Sequence, residues 1–283
     1  MKSICICGGG ALGMVMACVL SNTQQVTVRL LTAHPQKWSN EIEAIDKAGK
    51  VYKGLLEKIS VNPSDVIPQS DIVLLCLPGF LIEETLQRIK PYITTQAVGS
   101  IVSSTGFFFF AHQIFSKSIS LFGFQRVPYI ARVEEYGRKA NLLGYKTQLY
   151  MATENLSVDF EGTWAKWLQT PVKHLNNYLE ASLSNSNPLL HTARLYGLWR
   201  NWEEGIVYPK RILFYTDWDE FSSEMYIQMD EEFQSLCNLL HVHVEPVLSY
   251  YESTNAQSLT NKLHSIEAFQ KIDHYKAVLD NSL

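Results

Sequence analysis

Six residues near the N-terminus, Gly8-Gly9-Gly10-Ala11-Leu12-Gly13, constrain this chain more than any others. They match G-x-G-x-x-G, follow the apolar run KSICIC and open the stretch ALGMVMACVLSN. The first run reads as a short buried strand and the second as a helix. A strand that runs through such a turn into a helix is the first unit of an alternating α/β fold. Gly8 permits the tight turn. Gly10 lets a pyrophosphate approach the backbone, and Gly13 lets the helix pack close to the strand. The helix start, at Ala11, Leu12 and Gly13, presents free N–H groups and a partial positive charge. In this setting the motif implies a bound dinucleotide, with a structural glycine turn that holds no ligand as the alternative.

The same letters imitate a secretory signal: a lysine, an apolar stretch and small residues. Glycines interrupt that stretch where a signal peptide needs a continuous helix. No later apolar run spans a bilayer; IVLLCLPGFLI is short and contains Pro78-Gly79. A cytoplasmic protein without a membrane partner is expected. Five cysteines, an odd number in apolar settings, suggest reduced, buried thiols. Cys5-x-Cys7 lacks the spacing and partners of a zinc site. The net charge is −4 and Lys and Arg do not cluster, which argues against a nucleic-acid partner.

After the glycine turn, QQVTVRLLT, SDIVLLCLPGF, QAVGSIVSS, SISLFGF and GYKTQLYMAT read as strands, and IEETLQRIKPYI and FEGTWAKWLQ as helices. This alternation predicts a parallel sheet covered on both faces. Residues 107–110, FFFF, suit a core or cleft wall better than a membrane anchor. Beyond about residue 180 strand signals become scarce. ASLSNSNPLLHTARLYGLWRNWEEG, SSEMYIQMDEEFQSLCNLL and NAQSLTNKLHSIEAFQKI all read as helical. The expected organisation is a Rossmann domain over 1–179 and a smaller, all-helical domain over 180–283.

An acidic residue at the end of the second strand would bind the ribose hydroxyls of NAD. Here the chain has Leu31-Thr32-Ala33-His34, with Lys37 one turn on. A hydroxyl and a cationic side chain suit a 2′-phosphate better, which favours NADP over NAD. The alternative is that Thr32 caps the next turn and His34 faces water. Leu77-Pro78-Gly79-Phe80 follows the third strand, and Leu77 and Pro78 are placed to line the nicotinamide side. Ser103, Ser104, Thr105 and Gly106 face the same crevice; a simple turn is an equal reading for each loop. Arg126 and Arg132 flank VPYIA, and Arg132 is a candidate clamp for a substrate carboxylate, with a structural arginine as the alternative. His241, His243 and Glu245 would share a face if they formed a strand. A polar edge explains them better, and no metal is expected.

Asn187-Pro188-Leu189-Leu190-His191 is the other distinctive stretch. Pro188 starts a helix and His191 lies about one turn in. Imidazole exchanges a proton near neutral pH, as hydride addition to C=O or C=N requires; a core histidine is the alternative. GGGALG, FGFQRVPYIARVEEYGRKANLLGYK, SLSNSNPLLHTARLYG and LFYTDWDEFSSEMYIQMDEEFQSLCNLLHV together resemble the octopine/nopaline (opine) dehydrogenase family. The resemblance implies a Rossmann domain followed by a helical domain of the 6-phosphogluconate-dehydrogenase-like type. It implies hydride transfer from a nicotinamide cofactor to the imine of a 2-oxo acid and an amino acid. Asn187 would orient the substrate and His191 would act as general acid/base in an interdomain cleft. A homodimer is left open. An aspartate from a later segment should pair with the histidine. No stretch up to Leu283 matches that segment, and Asp217, Asp219 and Asp230 fall on no such motif. Two further expectations stand beside this one: a reductase of a small 2-oxo acid, similar to ketopantoate reductases, and a non-catalytic NADP-binding sensor.

Overall fold

Alternation along the first strand, β1 (Lys2–Cys7), explains why the N-terminal unit has a core on each face of its sheet. Ile4 and Ile6 join Val28, Leu30, Ile72 and Leu74 in one cluster. Cys5 and Cys7 join Leu31, Val73, Leu75, Ile82, Leu86, Phe107 and Phe108 in the other. The computed structural model describes residues 1–156, 159–208 and 212–264.

After β1 come α1 (Ala11–Asn22), β2 (Val26–Leu31), β3 (Glu41–Asp46), β4 (Val51–Ser60), β5 (Ile72–Leu75), α2 (Ile82–Ile89) and β6 (Ala97–Ser100). Then follow α3 (Phe107–Ile114), β7 (Leu121–Phe124), β8 (Tyr129–Glu135), β9 (Lys139–Tyr145) and β10 (Leu149–Glu154). The unit closes with α4 (Phe160–Leu168), β11 (Val172–His174) and α5 (Tyr178–Leu183). The strands form one sheet in the order β11-β10-β7-β6-β5-β1-β2-β4-β3-β9-β8. From β4 to β7 every pairing is parallel. Strand order reverses at β1, so the crevice between the loops after β1 and β5 is the position at which open α/β sheets bind ligands.

The expected purely parallel sheet is therefore corrected to a mixed one. β3–β4, β8–β9 and β7–β10 pair antiparallel. The hairpin strands β3, β4, β8 and β9 were not individually expected, for a physical reason. They carry charges at close spacing, as in EIEAID and IARVEE, and expose many of their residues. These half-wetted strands lack the continuous apolar run of the parallel strands. They also explain α1. Met14 through Leu20 are all buried, because β4, β3, β8 and β9 cover the side that β1 and β2 leave open. A helix covered on all sides is apolar all round, and this is why it imitates a signal peptide. All five cysteines are free and buried. Burial pushes the Cys5 thiol well up and Cys18 up to about 12.

The second unit begins at Ser184. It holds α6 (Asn187–Trp199), α7 (Glu220–Leu239), α8 (Val247–Tyr250) and α9 (Ala256–His264). The division falls at 183/184 rather than 179/180, because Ala181 of α5 is buried in the N-terminal unit. Leu190, Ala193, Phe214, Trp218, Tyr226, Val247, Leu259 and Leu263 form the second unit's core. His241, His243 and Glu245 follow α7 without forming a strand, so the shared face they would need is absent. Residues 265–283, including the end of the last expected helix, lie outside the described residues. No described helix is long and apolar enough to cross a membrane.

Candidate functional site

The glycine turn sits where β1 meets α1, and each glycine answers to a different constraint. Gly8 has φ of 125°, and a Cβ there would collide with the Cys76 carbonyl oxygen. A Cβ on Gly13 would collide with the carbonyl oxygen of Gly8. A Cβ on Gly10, the N-cap of α1, would meet nothing within 4 Å. Gly8 and Gly13 are thus required by the protein's own packing. Gly10 is not, and the open space above it fits an approaching pyrophosphate. No side chain caps α1, so the N–H groups at Ala11, Leu12 and Gly13 depend on another acceptor.

The neighbouring loops converge on this turn. Leu77 Cδ2 would lie 3.0 Å from a Cβ on Gly8. Pro78 is exposed and caps a short turn over Gly79–Leu81. A Cβ on Gly79 would lie 3.5 Å from the Thr105 carbonyl oxygen. Within the second loop, Ser103 is buried and donates to the Phe124 carbonyl at 2.9 Å, while Thr105 donates to Val102 at 2.8 Å. These two hydroxyls hold the loop's shape rather than facing the crevice. On the other side, Thr32 is 6% exposed. Its N–H donates to the Ser60 carbonyl at 3.0 Å. His34 and Lys37 are both exposed, which leaves the imidazole and the ammonium available beside the end of β2.

Arg132 lies exposed on β8, the edge strand, and donates to the carbonyl of its neighbour Ala131 at 2.9 Å. It makes no described contact with the glycine turn. The residue this segment does bring there is Tyr136, which sequence reading passed over. A Cβ on Gly9 would lie 3.0 Å from the Tyr136 phenolic oxygen and 2.5 Å from Thr32 Oγ1.

In the second unit, Pro188 occupies the first turn of α6, and Asn187 and His191 share a face four residues apart. Both are exposed. The His191 ring packs on Phe214 with centroids 4.9 Å apart. Partial burial lowers its pKa below the usual imidazole value. Among the described residues no carboxylate pairs with this ring. Asp217 accepts from Leu213 N–H at 2.8 Å. Asp219 caps α7 by accepting from Ser222 N–H at 2.7 Å. Asp230 accepts from Val247 N–H at 2.8 Å. Each aspartate is committed to local structure.

Phe214 is held by a residue that the sequence motif does not single out. Arg194, one turn beyond His191, is fully buried. Its guanidinium donates to the carbonyls of Phe214 and Asp217 and to the Ser222 hydroxyl, and lies 3.6 Å from Asp219. Its signal in the sequence is weak: an arginine on the inner face of a helix. Arg194→Met should strand these buried acceptors. Asp219 is partly solvated, which discounts the ionic part, so a loss of roughly 2–4 kcal/mol is expected. Urea denaturation followed by tryptophan fluorescence would check this, since Trp218 lies under the guanidinium.

Two family models match different parts of the chain. Residues 174–280 match the family described as NAD/NADP octopine/nopaline dehydrogenase, alpha-helical domain. Residues 4–103 match ketopantoate reductase PanE/ApbA. Octopine dehydrogenase of Pecten maximus is 26% identical over 257 residues, covering 84% of this chain and 64% of that protein. Tauropine dehydrogenase of Arabella iricolor is 23% identical over 311 residues, covering 97% of this chain and 78% of that protein. The chain thus spans about 64% of the length of the octopine dehydrogenases it matches. Among solved structures, octopine dehydrogenase in complex with NADH and agmatine superposes with a TM-score of 0.84 at 23% identity, covering 96% of this chain and 76% of that one. Yersinopine dehydrogenase with NADP+ bound gives 0.70 at 13% identity, covering 99% and 77%. These likenesses establish the fold: a Rossmann domain followed by a helical domain. With the glycine turn and the Asn187–His191 helix in place, residues 174–280 are similar to the helical domain of the octopine/nopaline dehydrogenase family.

Proposed function

We propose that this protein is an NAD(P)-dependent oxidoreductase that reduces the imine formed between a 2-oxo acid and an amino acid. The observation that carries the reading is the Asn187–His191 face of α6, within a segment matched to the octopine dehydrogenase helical domain. Octopine dehydrogenase has been solved with NADH and L-arginine and with NADH and pyruvate, an amino acid and a 2-oxo acid. The glycine turn fits the diphosphate of a nicotinamide dinucleotide, because Gly10 leaves the space and α1 supplies the N–H groups. When bound, that cofactor supplies hydride. Thr32, His34 and Lys37 favour NADP, with NAD accepted.

The chain's own residues supply orientation and a proton. Asn187 can donate and accept through its amide, which suits a substrate carboxylate or amine. His191 delivers a proton to the substrate nitrogen as the carbon is reduced. Burial against Phe214 favours neutral imidazole, so the ring gives up its proton readily. The pH dependence follows in sign. Reduction needs the imidazolium, so its kcat/KM should fall as pH rises through a pKa below about 6.5. The oxidative direction needs neutral imidazole and should rise through the same pKa to a plateau. Initial rates in both directions from pH 5 to 9 would check this; a reductive rate that climbs with pH would count against His191 as donor.

A second reading is favoured by the match of residues 4–103 to ketopantoate reductase: direct reduction of a 2-oxo acid. The deciding experiment measures NADPH and NADH oxidation with 2-oxo acids, each with and without a panel of amino acids. Amine-dependent turnover is the expected result. Turnover on the oxo acid alone would support the second reading. Cofactor binding without turnover would point to a dinucleotide sensor.

A further inference from the structure

The turn joining β8 and β9 reaches the glycine motif from a part of the chain with no role in the βαβ unit. Gly137, with φ of 76°, sits so close to the loop after β2 that a Cβ would collide with the Lys37 carbonyl oxygen. Ser39 N–H donates to the Gly137 carbonyl at 3.0 Å, and Glu43 N–H donates to the Arg138 carbonyl at 2.9 Å. Arg138 N–H closes the turn on Glu135 at 3.0 Å. The hairpin tip is therefore fixed to the loop that carries His34 and Lys37. Tyr136, at this tip, sets its ring edge-on to Trp38, with centroids 5.8 Å apart. Its hydroxyl stands over Gly9, 3.0 Å from the position a Cβ would take. The residue is 37% exposed, and no hydrogen bond to its hydroxyl is found among the described residues.

Position gives that hydroxyl a ligand. In a dinucleotide fold the pyrophosphate lies at the helix start, here Gly10 and Ala11, and the 2′ position of the ribose lies at the end of the second strand, here Thr32. Gly9 stands between the two, under the adenosine ribose. We propose that Tyr136 is an adenosine-side ligand of the cofactor, its hydroxyl hydrogen-bonding the ribose. The inference rests on the dinucleotide reading above. The ring supplies packing against Trp38, and the hydroxyl alone supplies the polar contact. The two roles separate cleanly in Tyr136→Phe.

The test titrates NADPH, NADH, ADP-ribose and 2′-phospho-ADP-ribose into wild-type protein and Tyr136→Phe, with thermal unfolding of both. A lost hydrogen bond should raise Kd for all four ligands about 3- to 10-fold, with the unfolding midpoint unchanged. Equal affinities in the two proteins would overturn the inference. So would a lower unfolding midpoint accompanying the weaker binding, because the hydroxyl would then serve the fold. Failure of wild-type protein to bind any of the four would instead remove the dinucleotide reading, and this inference with it.

Discussion

His191→Ala should lower turnover of oxo acid plus amine by about 10²- to 10⁴-fold, the usual worth of general acid–base catalysis. Cofactor affinity should stay within about twofold, since the glycine turn lies in the other unit. The two measurements together separate lost chemistry from lost structure. His191 is exposed, and its ring rests on Phe214 without a hydrogen-bonded partner among the described residues. Its removal therefore opens no closed cavity and strands no buried group, so the fold should survive. Partial recovery of turnover with added imidazole would place the proton at this position. An alanine variant as active as wild type would show that another group donates, and would leave the helix face at Asn187 without a catalytic role.

Gly10→Ala and Gly13→Ala should both weaken dinucleotide binding, but for opposite reasons. Gly10 has an extended backbone and open space beside it. Alanine fits there, so the variant should fold with a normal unfolding midpoint. Its methyl group occupies the approach of the pyrophosphate, and Kd should rise about 10- to 100-fold, each tenfold being about 1.4 kcal/mol. Gly13 packs directly on the Gly8 carbonyl. A methyl there must push α1 off β1, and overpacking in a rigid core costs about 1–3 kcal/mol or more. α1 is buried from Gly13 to Leu20 and cannot move without disturbing both layers around it. Soluble yield and unfolding midpoint should fall with Gly13→Ala, whatever the ligand. Tight binding by Gly10→Ala would mean that no pyrophosphate passes over this glycine.

The sequence by itself determined the features that rest on neighbours within one or two turns of chain. The G-x-G-x-x-G turn needs only a strand before it and a helix after it, and both were legible. The same holds for α6, which Pro188 opens, and for the parallel strands β1, β2 and β5, with their runs of Ile, Val and Leu. The long helix α7 was equally plain. Tertiary structure decided the rest. The antiparallel hairpins are half polar, so their strand character comes from pairing across the sheet rather than from a local pattern. Tyr136 meets Gly9 although the two lie 127 positions apart in the chain, and it does so because the β8–β9 turn is fixed to the loop after β2. Arg194 reads as an ordinary helix arginine until the carbonyls of Phe214 and Asp217 turn toward it. The aspartates at 217, 219 and 230 could not be assigned from spacing, and the fold spends each on a backbone N–H. Local rules reach only as far as the backbone's own periodicity; contacts between distant segments depend on how whole layers pack.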